Sequence, residues 1–224
     1  MSAPLIVFDL DGTLVETAPD LVDTLNVILA GQNLPPVPYD EARKYIGRGA
    51  RRMVSRAFEA DGRPVEGAHL DQLVAQFLAH YSDHIADRSY PFPHLTEALD
   101  QLAAQGCAFA VCTNKLEGLS VKLLDTLGLS ARFGAICGQD TFGVMKPDPL
   151  ALLGTIERAG GRADNAIMVG DSETDIATAR AAKIPVVAVD FGYTEIPLTE
   201  LAPDRLISSF AALPDAVRDL IGAR

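Results

Sequence analysis

Short, continuous runs of apolar residues recur along the chain, and polar or turn-forming residues follow each of them. The first run ends at Asp9 and shows no alternation of polar and apolar positions. Such a run is typical of a strand that is buried on both faces of a sheet. We predict strands of this kind at residues 4–8, 108–112, 135–137, 166–169 and 186–189.

Helical patterns separate most of these apolar runs. Three of them close at Gly106, Gly128 and Gly160, and glycine is a common residue at helix C-termini. The predicted helices cover residues 95–105, 116–127, 150–159 and 175–182. Strands that alternate with helices predict an α/β fold, with a doubly wound, mostly parallel, Rossmann-like sheet covered by helices on both faces.

One long interval interrupts this alternation. Between Asp9 and Cys107 lie 97 residues, whereas a βαβ unit needs about 30. Apolar residues recur at helical spacing within the interval, at residues 21–29 and 70–85. We therefore predict a small helical cap domain inserted after the first strand, at residues 16–88, and an α/β core formed by residues 1–15 and 89–224.

Composition narrows the possible partners. The 224 residues carry a formal net charge of −11, with a pI near 4.7. Binding to nucleic acid or to an anionic membrane surface requires clustered Lys and Arg, so we expect neither partner. No apolar run approaches the length of about 18 residues that a membrane helix needs. Cys107, Cys112 and Cys137 form no CxxC pair and are predicted to be reduced core residues, which fits a cytoplasmic protein.

Two carboxylates directly follow the first predicted strand. Asp9 and Asp11 are two positions apart, so on an extended chain their side chains point to the same side. That side would be the crevice at the C-terminal edge of the sheet, where α/β folds bind ligands. Gly12 permits a tight turn and a close backbone approach. Taken alone, this spacing is more often a solvated turn than a functional site.

Polar residues follow three other predicted strands in the same way. Thr113 and Asn114 follow the second strand, Lys146 lies beyond the third, and Asp171 and Asp175 follow the fourth. Each has an ordinary explanation by itself, such as helix capping or a solvated surface position. All of these explanations would have to hold together at one edge of the sheet, so we favour a common site.

These segments are similar, in order and spacing, to the motifs of the haloacid dehalogenase superfamily. The pair formed by Asp-Leu-Asp-Gly-Thr-Leu at 9–14 and Gly-Asp-Ser-Glu-Thr-Asp at 170–175 is highly specific. Within the superfamily the chain resembles the phosphoglycolate phosphatases. That likeness rests on residues 11–21, Thr-Asn-Lys at 113–115, Lys-Pro-Asp-Pro at 146–149 and Phe-Gly-Tyr at 191–193.

The resemblance implies hydrolysis of a small phosphate monoester, above all 2-phosphoglycolate to glycolate and phosphate. Asp9 would attack phosphorus and form an aspartyl-phosphate. Asp11 would protonate the leaving alkoxide and then activate water. The implied cofactor is Mg²⁺, which prefers oxygen ligands. Its implied ligands are Asp9, the backbone carbonyl of Asp11, and Asp171, with Asp175 supporting the site.

The resemblance also assigns the phosphate-binding groups and the role of the insert. Lys146 would neutralise the phosphoryl oxygens, and Thr113 and the backbone amide of Asn114 would donate hydrogen bonds to them. The helical insert resembles a cap that closes over small substrates. Three of its arginines could bind a substrate carboxylate, although each could equally be a solvated surface residue: Arg48, Arg51 and Arg52.

Several alternatives stay open at this point. The substrate could be pyrophosphate, pyridoxal phosphate or a sugar phosphate, and a phosphomutase of the same fold would return the phosphoryl group from Asp9 to the substrate. A receiver-type signalling module fits poorly, because such modules have no long helical insert and this chain is predicted to have one. A metal-free dehalogenase would not need the acidic pair Asp171 and Asp175. We expect the protein to be a monomer or a homodimer.

Overall fold

The computed structural model describes residues 4–222. Its strands, numbered along the chain, are β1 Leu5–Phe8, β2 Val15–Glu16, β3 Tyr90–Pro91, β4 Ala108–Cys112, β5 Ala135–Cys137, β6 Ala166–Gly170, β7 Val186–Val189 and β8 Arg205–Ile207. Its α-helices are α1 Ala18–Gly31, α2 Tyr39–Ala42, α3 Gly49–Ala60, α4 Gly67–Asp83, α5 Leu95–Ala104, α6 Glu117–Thr126, α7 Pro149–Arg158, α8 Glu173–Ala182 and α9 Leu213–Gly222. Single 3₁₀ turns lie at Arg43–Tyr45, Ser130–Arg132, Ala163–Asn165, Leu198–Leu201 and Phe210–Ala212.

Six strands form one sheet in the order β5-β4-β1-β6-β7-β8, and every neighbouring pair is parallel. Alternate side chains of β1 enter different cores: Leu5 and Val7 pack with α7 and α8, whereas Ile6 and Phe8 pack with α5, α6 and α9. Helices therefore cover both faces, and the predicted doubly wound α/β fold is confirmed.

The five predicted strands are present with bounds close to those expected, and the four predicted core helices begin and end within two residues of their predicted bounds. Strand β8 and helix α9 were not predicted. In β8 both Arg205 and Leu206 are exposed, so the strand is not the continuous apolar run that marks a strand buried on both faces.

Helices α1 to α4 all lie between β2 and β3, where the sequence predicts the helical insert. Within it α3 packs against α4, and α4 packs against α1. The two-residue strands β2 and β3 pair antiparallel, with Val15 opposite Pro91, where the chain leaves and re-enters the part that carries the large sheet. The division into domains at residues 16–88 stays a prediction.

The length of the apolar helices and the burial of the cysteines bear on two expectations drawn from the sequence. Within residues 4–222, no helix combines the length and the apolar character needed to cross a membrane. The three cysteines are free; Cys112 and Cys137 are buried, as expected for core residues, whereas Cys107 is only half-buried.

Candidate active site

The ends of three neighbouring strands bring the predicted site residues together. Because β1 lies between β4 and β6, Asp9 after β1 lies between Thr113 after β4 and Asp171 after β6. The side chains at these positions are almost fully buried, although the residues are polar. Burial of polar and charged groups is unfavourable unless each group finds a partner, so the arrangement must be held by specific contacts.

The turn after β1 requires glycine. Gly12 has a φ of +82°, in the left-handed region that L-residues with side chains rarely adopt. A Cβ atom at this position would lie 2.6 Å from Oδ2 of Asp171. The turn therefore lets the backbone approach the acid that follows β6, and the sequence-based role of Gly12 agrees with the geometry.

Asp9 contacts Lys146, the predicted site residue that lies in the loop beyond β5. The Lys146 ammonium lies 2.9 Å from Oδ1 of Asp9, and the backbone N–H of Leu10 donates to the same oxygen at 2.7 Å. Burial raises the pKa of Asp9 to about 6, while the neighbouring Lys146 acts in the opposite direction. The carboxyl group of Asp9 is thus almost fully buried and lies beside a cation.

Both the side chain and the backbone of Lys146 make hydrogen bonds that fix its position. Its ammonium donates to Oδ1 of Asp175 at 2.6 Å, and its backbone N–H donates to the Asn114 side chain at 2.8 Å. Burial works to lower the pKa of Lys146, but the carboxylates of Asp175 and Asp9 outweigh burial and raise the pKa above its ordinary value. The Asn114 amide also donates to the carbonyl oxygens of Lys146 and Gly47, which links the loop to the insert.

Asp171 lies in a cradle formed by the turns after β1 and β7. The Thr13 hydroxyl donates to one carboxylate oxygen at 2.8 Å, and the backbone N–H of Tyr193 donates to the other at 2.7 Å. A Cβ at Gly192 would lie 2.2 Å from the Cβ of Asp171. Burial and the nearby Asp175 and Asp9 hold the pKa of Asp171 well above its usual range.

Asp175 combines a structural role with a place in the site. It lies in the first turn of α8 and forms a capping box with Ser172, whose hydroxyl donates to Oδ2 of Asp175 at 2.6 Å. Its other oxygen accepts from Lys146, and the residue is fully buried. Asp175 therefore caps α8 and contacts a site residue at the same time, so the two interpretations of this position do not exclude each other.

The acidic cluster suits a hard divalent cation. One carboxylate oxygen from each of Asp9, Asp171 and Asp175 lies within 4.8 Å of the others. With Asp11, four buried carboxylates face two buried lysines, Lys146 and Lys115, an excess of negative charge. Oxygen donors of this kind are the ligands that Mg²⁺ prefers. The residues present therefore fit the predicted cofactor.

The side chain of Asp11 pairs with a second buried lysine, Lys115. The Lys115 ammonium lies 2.9 and 3.0 Å from the two Asp11 oxygens, and the Thr17 hydroxyl donates to Oδ1 at 2.7 Å. Sequence reasoning assigned no role to Lys115. The available signal was its place next to Thr113 and Asn114 at the end of a buried strand.

Tyr193 is a second residue whose role sequence reasoning missed. Its hydroxyl donates to Glu16 at 2.6 Å and accepts from the backbone N–H groups of Thr17 and Ala18 at the start of α1. Its own backbone N–H contacts Asp171. Tyr193 thus connects the acid of the site to the point where the insert begins, and the Phe-Gly-Tyr segment was the only sequence signal for it.

The three candidate arginines of the insert are dispersed. Arg48 lies 3.5 Å from Glu173 and lines a separate cleft, and Arg52 lies 2.7 Å from Glu59. Only Arg51 lines the cleft that contains Asp9, and its guanidinium pairs with Asp71 at an exposed position. The structure does not bring these arginines together; a role for them in specificity stays a prediction.

The comparison with protein families settles the classification. Residues 6–189 match the model of the haloacid dehalogenase-like hydrolases. The chain belongs to this family. The match runs from β1 to the end of β7 and includes every acid of the cluster, so the resemblance stated from the sequence motifs is confirmed.

Curated relatives and solved structures agree with the family assignment of the hydrolase. It is 51% identical over 213 residues to a phosphoglycolate phosphatase of Mesorhizobium japonicum, covering 95% of this chain and 94% of the relative. It is 48% identical over 215 residues to one of Agrobacterium fabrum, covering 96% and 92%. The crystal structure of a predicted phosphoglycolate phosphatase from Haemophilus somnus superposes with a TM-score of 0.88 at 30% identity, covering 96% and 98%.

Proposed function

We propose that the protein is a magnesium-dependent phosphatase that hydrolyses 2-phosphoglycolate to glycolate and phosphate through an aspartyl-phosphate on Asp9. The observation that carries the proposal is the contact between the buried Asp9 carboxylate and the Lys146 ammonium, 2.9 Å apart, beside two further acids. A phosphate monoester is an anion, so a carboxylate can attack it only where positive charge offsets the repulsion. Lys146 supplies such a charge at the nucleophile itself.

In the first half of the reaction, an oxygen of Asp9 bonds to phosphorus and the bond between phosphorus and the ester oxygen breaks. Asp11 gives its proton to the departing alkoxide. Lys146, the Thr113 hydroxyl and the backbone N–H of Asn114 bind the phosphoryl oxygens as charge develops on them. Asp9 and Asp11 line the same cleft, which supports this pair of roles.

In the second half, Asp11 takes a proton from water, and the resulting hydroxide attacks phosphorus. The bond between phosphorus and Asp9 then breaks, which releases phosphate and restores the carboxylate. The two steps return Asp11 to its starting protonation state. A mutase would instead need a second substrate hydroxyl as the acceptor, so release of free phosphate separates the two activities.

Mg²⁺ would be held by Asp9, Asp171 and the backbone carbonyl of Asp11, with Asp175 supporting the site. When bound it would offset the excess of negative charge and the repulsion between Asp9 and the phosphoryl group. The hydrogen bonds from Thr13 and Tyr193 hold Asp171 in one orientation, and such outer contacts fix the geometry of metal ligands.

We propose that the helices of residues 16–88 act as a cap over this site. Residues of α1, α3 and α4 line a cleft whose floor carries Asp9 and Asp11. A cap that closes on a small substrate excludes water from the phosphoryl group, which strengthens the electrostatic contacts inside. The relatives named phosphoglycolate phosphatase cover the insert as well as the core, which supports a small phosphorylated carboxylate as the substrate. The free cysteines fit a reducing cytoplasm.

Phosphate release from a panel of small phosphate compounds tests the proposed function. The panel contains phosphoglycolate, pyrophosphate, pyridoxal phosphate and a sugar phosphate, each with Mg²⁺ and with EDTA. We expect release only with Mg²⁺, and a kcat/KM for phosphoglycolate about 10²-fold above the others, because a polar subsite left unpaired by a wrong substrate is costly. Comparable rates for several compounds would support a phosphatase but contradict its specificity for phosphoglycolate. Phosphate release in EDTA would contradict the dependence on Mg²⁺.

Stability gives a second test of the metal site that needs no substrate. Without Mg²⁺, Asp9 and Asp171 have raised pKa values, with that of Asp9 near 6. A raised carboxyl pKa stabilises the fold below the unfolded pKa, and this contribution is lost as pH rises through the folded pKa. Mg²⁺ competes with those protons. We therefore expect the rise in Tm on adding Mg²⁺ to be small at about pH 5 and much larger at about pH 8.

Asp171→Asn is the control for this measurement. It removes a ligand but keeps the side-chain shape, so the response of Tm to Mg²⁺ should be lost at both pH values. An equal response of the wild type at the two pH values would show that Mg²⁺ stabilises the protein elsewhere. The assay is thermal unfolding followed by circular dichroism in EDTA and in excess Mg²⁺.

A further inference from the structure

A cleft lies between Asp9 and Asp11 on one side and helices of the insert on the other. It measures about 740 Å³, its open mouth included. Most of its lining is apolar, with side chains from both parts of the chain: Leu21, Ile46, Met53, Val74, Leu78 and Leu119. In an apolar cleft the few polar groups determine which substrates bind and in what orientation. Those groups therefore indicate how a charged substrate is recognised.

Tyr81 is a polar residue of this lining with an unsatisfied group. It lies on α4 and is 1% exposed, yet within residues 4–222 its hydroxyl has no partner at hydrogen-bonding distance and angle. Buried hydroxyl groups are almost always paired, and an exception calls for an explanation such as a missing ligand. Burial raises the pKa of Tyr81 to about 12, so the phenol keeps its proton and can donate it in a hydrogen bond. The Lys115 ammonium is its nearest charged neighbour and acts to lower the pKa of the phenol, but it lies over the ring and is not positioned to hydrogen-bond the hydroxyl.

Lys115 also lines the cleft and contacts the Tyr81 ring. Its ammonium is 4.5 Å from the centroid of the Tyr81 ring and within 3.0 Å of both Asp11 oxygens. An ammonium group has three donors, so Lys115 can contact Asp11 and still donate to a ligand. By contrast, the guanidinium of Arg51 pairs with Asp71, and its side chain is 56% exposed. Lys115 is thus the better-placed cation for a group deep in the cleft.

We propose that the Tyr81 hydroxyl and the Lys115 ammonium together form the subsite for the carboxylate of the substrate. The proposal rests on the proposed function, because it starts from Asp11 as the proton donor to the ester oxygen. In phosphoglycolate one methylene group joins the ester oxygen to the carboxylate. A substrate whose ester oxygen contacts Asp11 therefore presents its carboxylate next to the residue that Asp11 contacts, Lys115.

The same arrangement makes substrate recognition span both parts of the chain. Tyr81 belongs to the helical insert and Lys115 to the turn after β4. A carboxylate bound between them adds one contact from each side, which favours the closed arrangement of insert and core only for substrates that carry the second anionic group. Esters that lack it lose both contacts.

The test compares phosphoglycolate with ethyl phosphate, in which a methyl group replaces the carboxylate. In Tyr81→Phe the ring and its contact with Lys115 remain and only the hydroxyl is lost. We expect kcat/KM for phosphoglycolate to fall about 10- to 100-fold, as for a hydrogen bond to a charged group, and the value for ethyl phosphate to change less than about twofold. Lys115→Met should reduce the ratio of the two kcat/KM values further. Tyr90→Phe, at an exposed position, is the matched control.

If the Tyr81 hydroxyl only stabilised the fold, the Tm and the activities on the two substrates would change differently. The Tm of Tyr81→Phe should stay equal to that of the wild type or rise, because an unpaired buried hydroxyl is removed. Equal losses on both substrates, or a large fall in Tm, would overturn the proposal. So would a wild type that cleaves ethyl phosphate as well as phosphoglycolate, although the phosphatase function would then stand.

Binding separates the subsite from the catalytic proposal. Calorimetric titration of the Asp9→Asn variant with phosphoglycolate and with ethyl phosphate, in Mg²⁺, measures recognition without turnover. Adding Tyr81→Phe should weaken phosphoglycolate about 10-fold or more and leave ethyl phosphate unchanged. If the wild type releases no phosphate from either ester, the proposed function fails, and this titration still decides whether the subsite binds a carboxylate.

Discussion

Asp9→Asn should abolish phosphate release, with kcat lowered by about 10⁴-fold or more, the scale of effect seen when an enzyme loses its nucleophile. The amide keeps the shape of the side chain but cannot form the acyl-phosphate, because it has no anionic oxygen to attack phosphorus. The measurement is phosphate release in Mg²⁺ under saturating phosphoglycolate. Substrate binding should persist, since Lys146, Thr113 and the proposed carboxylate subsite are unchanged.

Loss of activity through misfolding can be separated from loss of the nucleophile. Asp9 is one of several buried acids with raised pKa values, so removing its charge should leave the Tm of the metal-free protein unchanged or higher. Asp125→Asn, on the exposed side of α6, makes the same chemical change away from the site. Substantial turnover by a well-folded Asp9→Asn variant would show that another group attacks phosphorus.

Much of the fold could be predicted because its strands are buried on both faces. A strand such as β6 reads as an unbroken apolar run, and three of the core helices, α5, α6 and α7, are each followed two residues later by a glycine. The elements that escaped prediction lack such signals. Strand β8 lies at the sheet edge and exposes Arg205 and Leu206, and β2 and β3 are only two residues long.

The site residues at the strand ends could be predicted for a related reason. The C-terminal ends of parallel strands meet at one edge of the sheet. Correct positions for three strands were therefore enough to predict that Asp9, Thr113 and Asp171 lie close together. The structure places all three there, with Lys146 in contact with Asp9. Their catalytic roles stay proposals that the variants above would test.

Contacts between distant segments could not be predicted from the sequence. Nothing in the pattern of residues 70–85 shows that Tyr81 leaves its hydroxyl unpaired inside a cleft, because the residue reads as one more apolar position of α4. Lys115 and Tyr193 likewise gain their roles only when the turns after β4 and β7 are set against the start of the insert. The arginines of α3 had the more obvious charge pattern, yet their partners are surface acids.

Lys146→Met should reduce both activity and the stability of the metal-free protein. The variant loses the cation beside Asp9, and removal of one group that stabilises the transition state costs about 10²- to 10³-fold in kcat. It also leaves Asp9, Asp171 and Asp175 buried without the ammonium that contacts two of them. Breaking a buried ion pair costs about 3 kcal/mol or more, which for a chain of this length lowers Tm by roughly 6–12 °C.

Mg²⁺ should restore part of this stability, and the restoration distinguishes charge from packing. The variant has a larger excess of negative charge at the cluster, so the rise in Tm on adding Mg²⁺ should exceed that of the wild type, while kcat stays low. Lys183→Met, at the exposed far end of α8, is the matched control and should change neither quantity. A Tm that falls equally with and without Mg²⁺ would mean that Lys146 acts through packing alone. In that case the stability that Lys146 confers would not come from its positive charge among the buried acids, and its role in catalysis would rest on the fall in kcat alone.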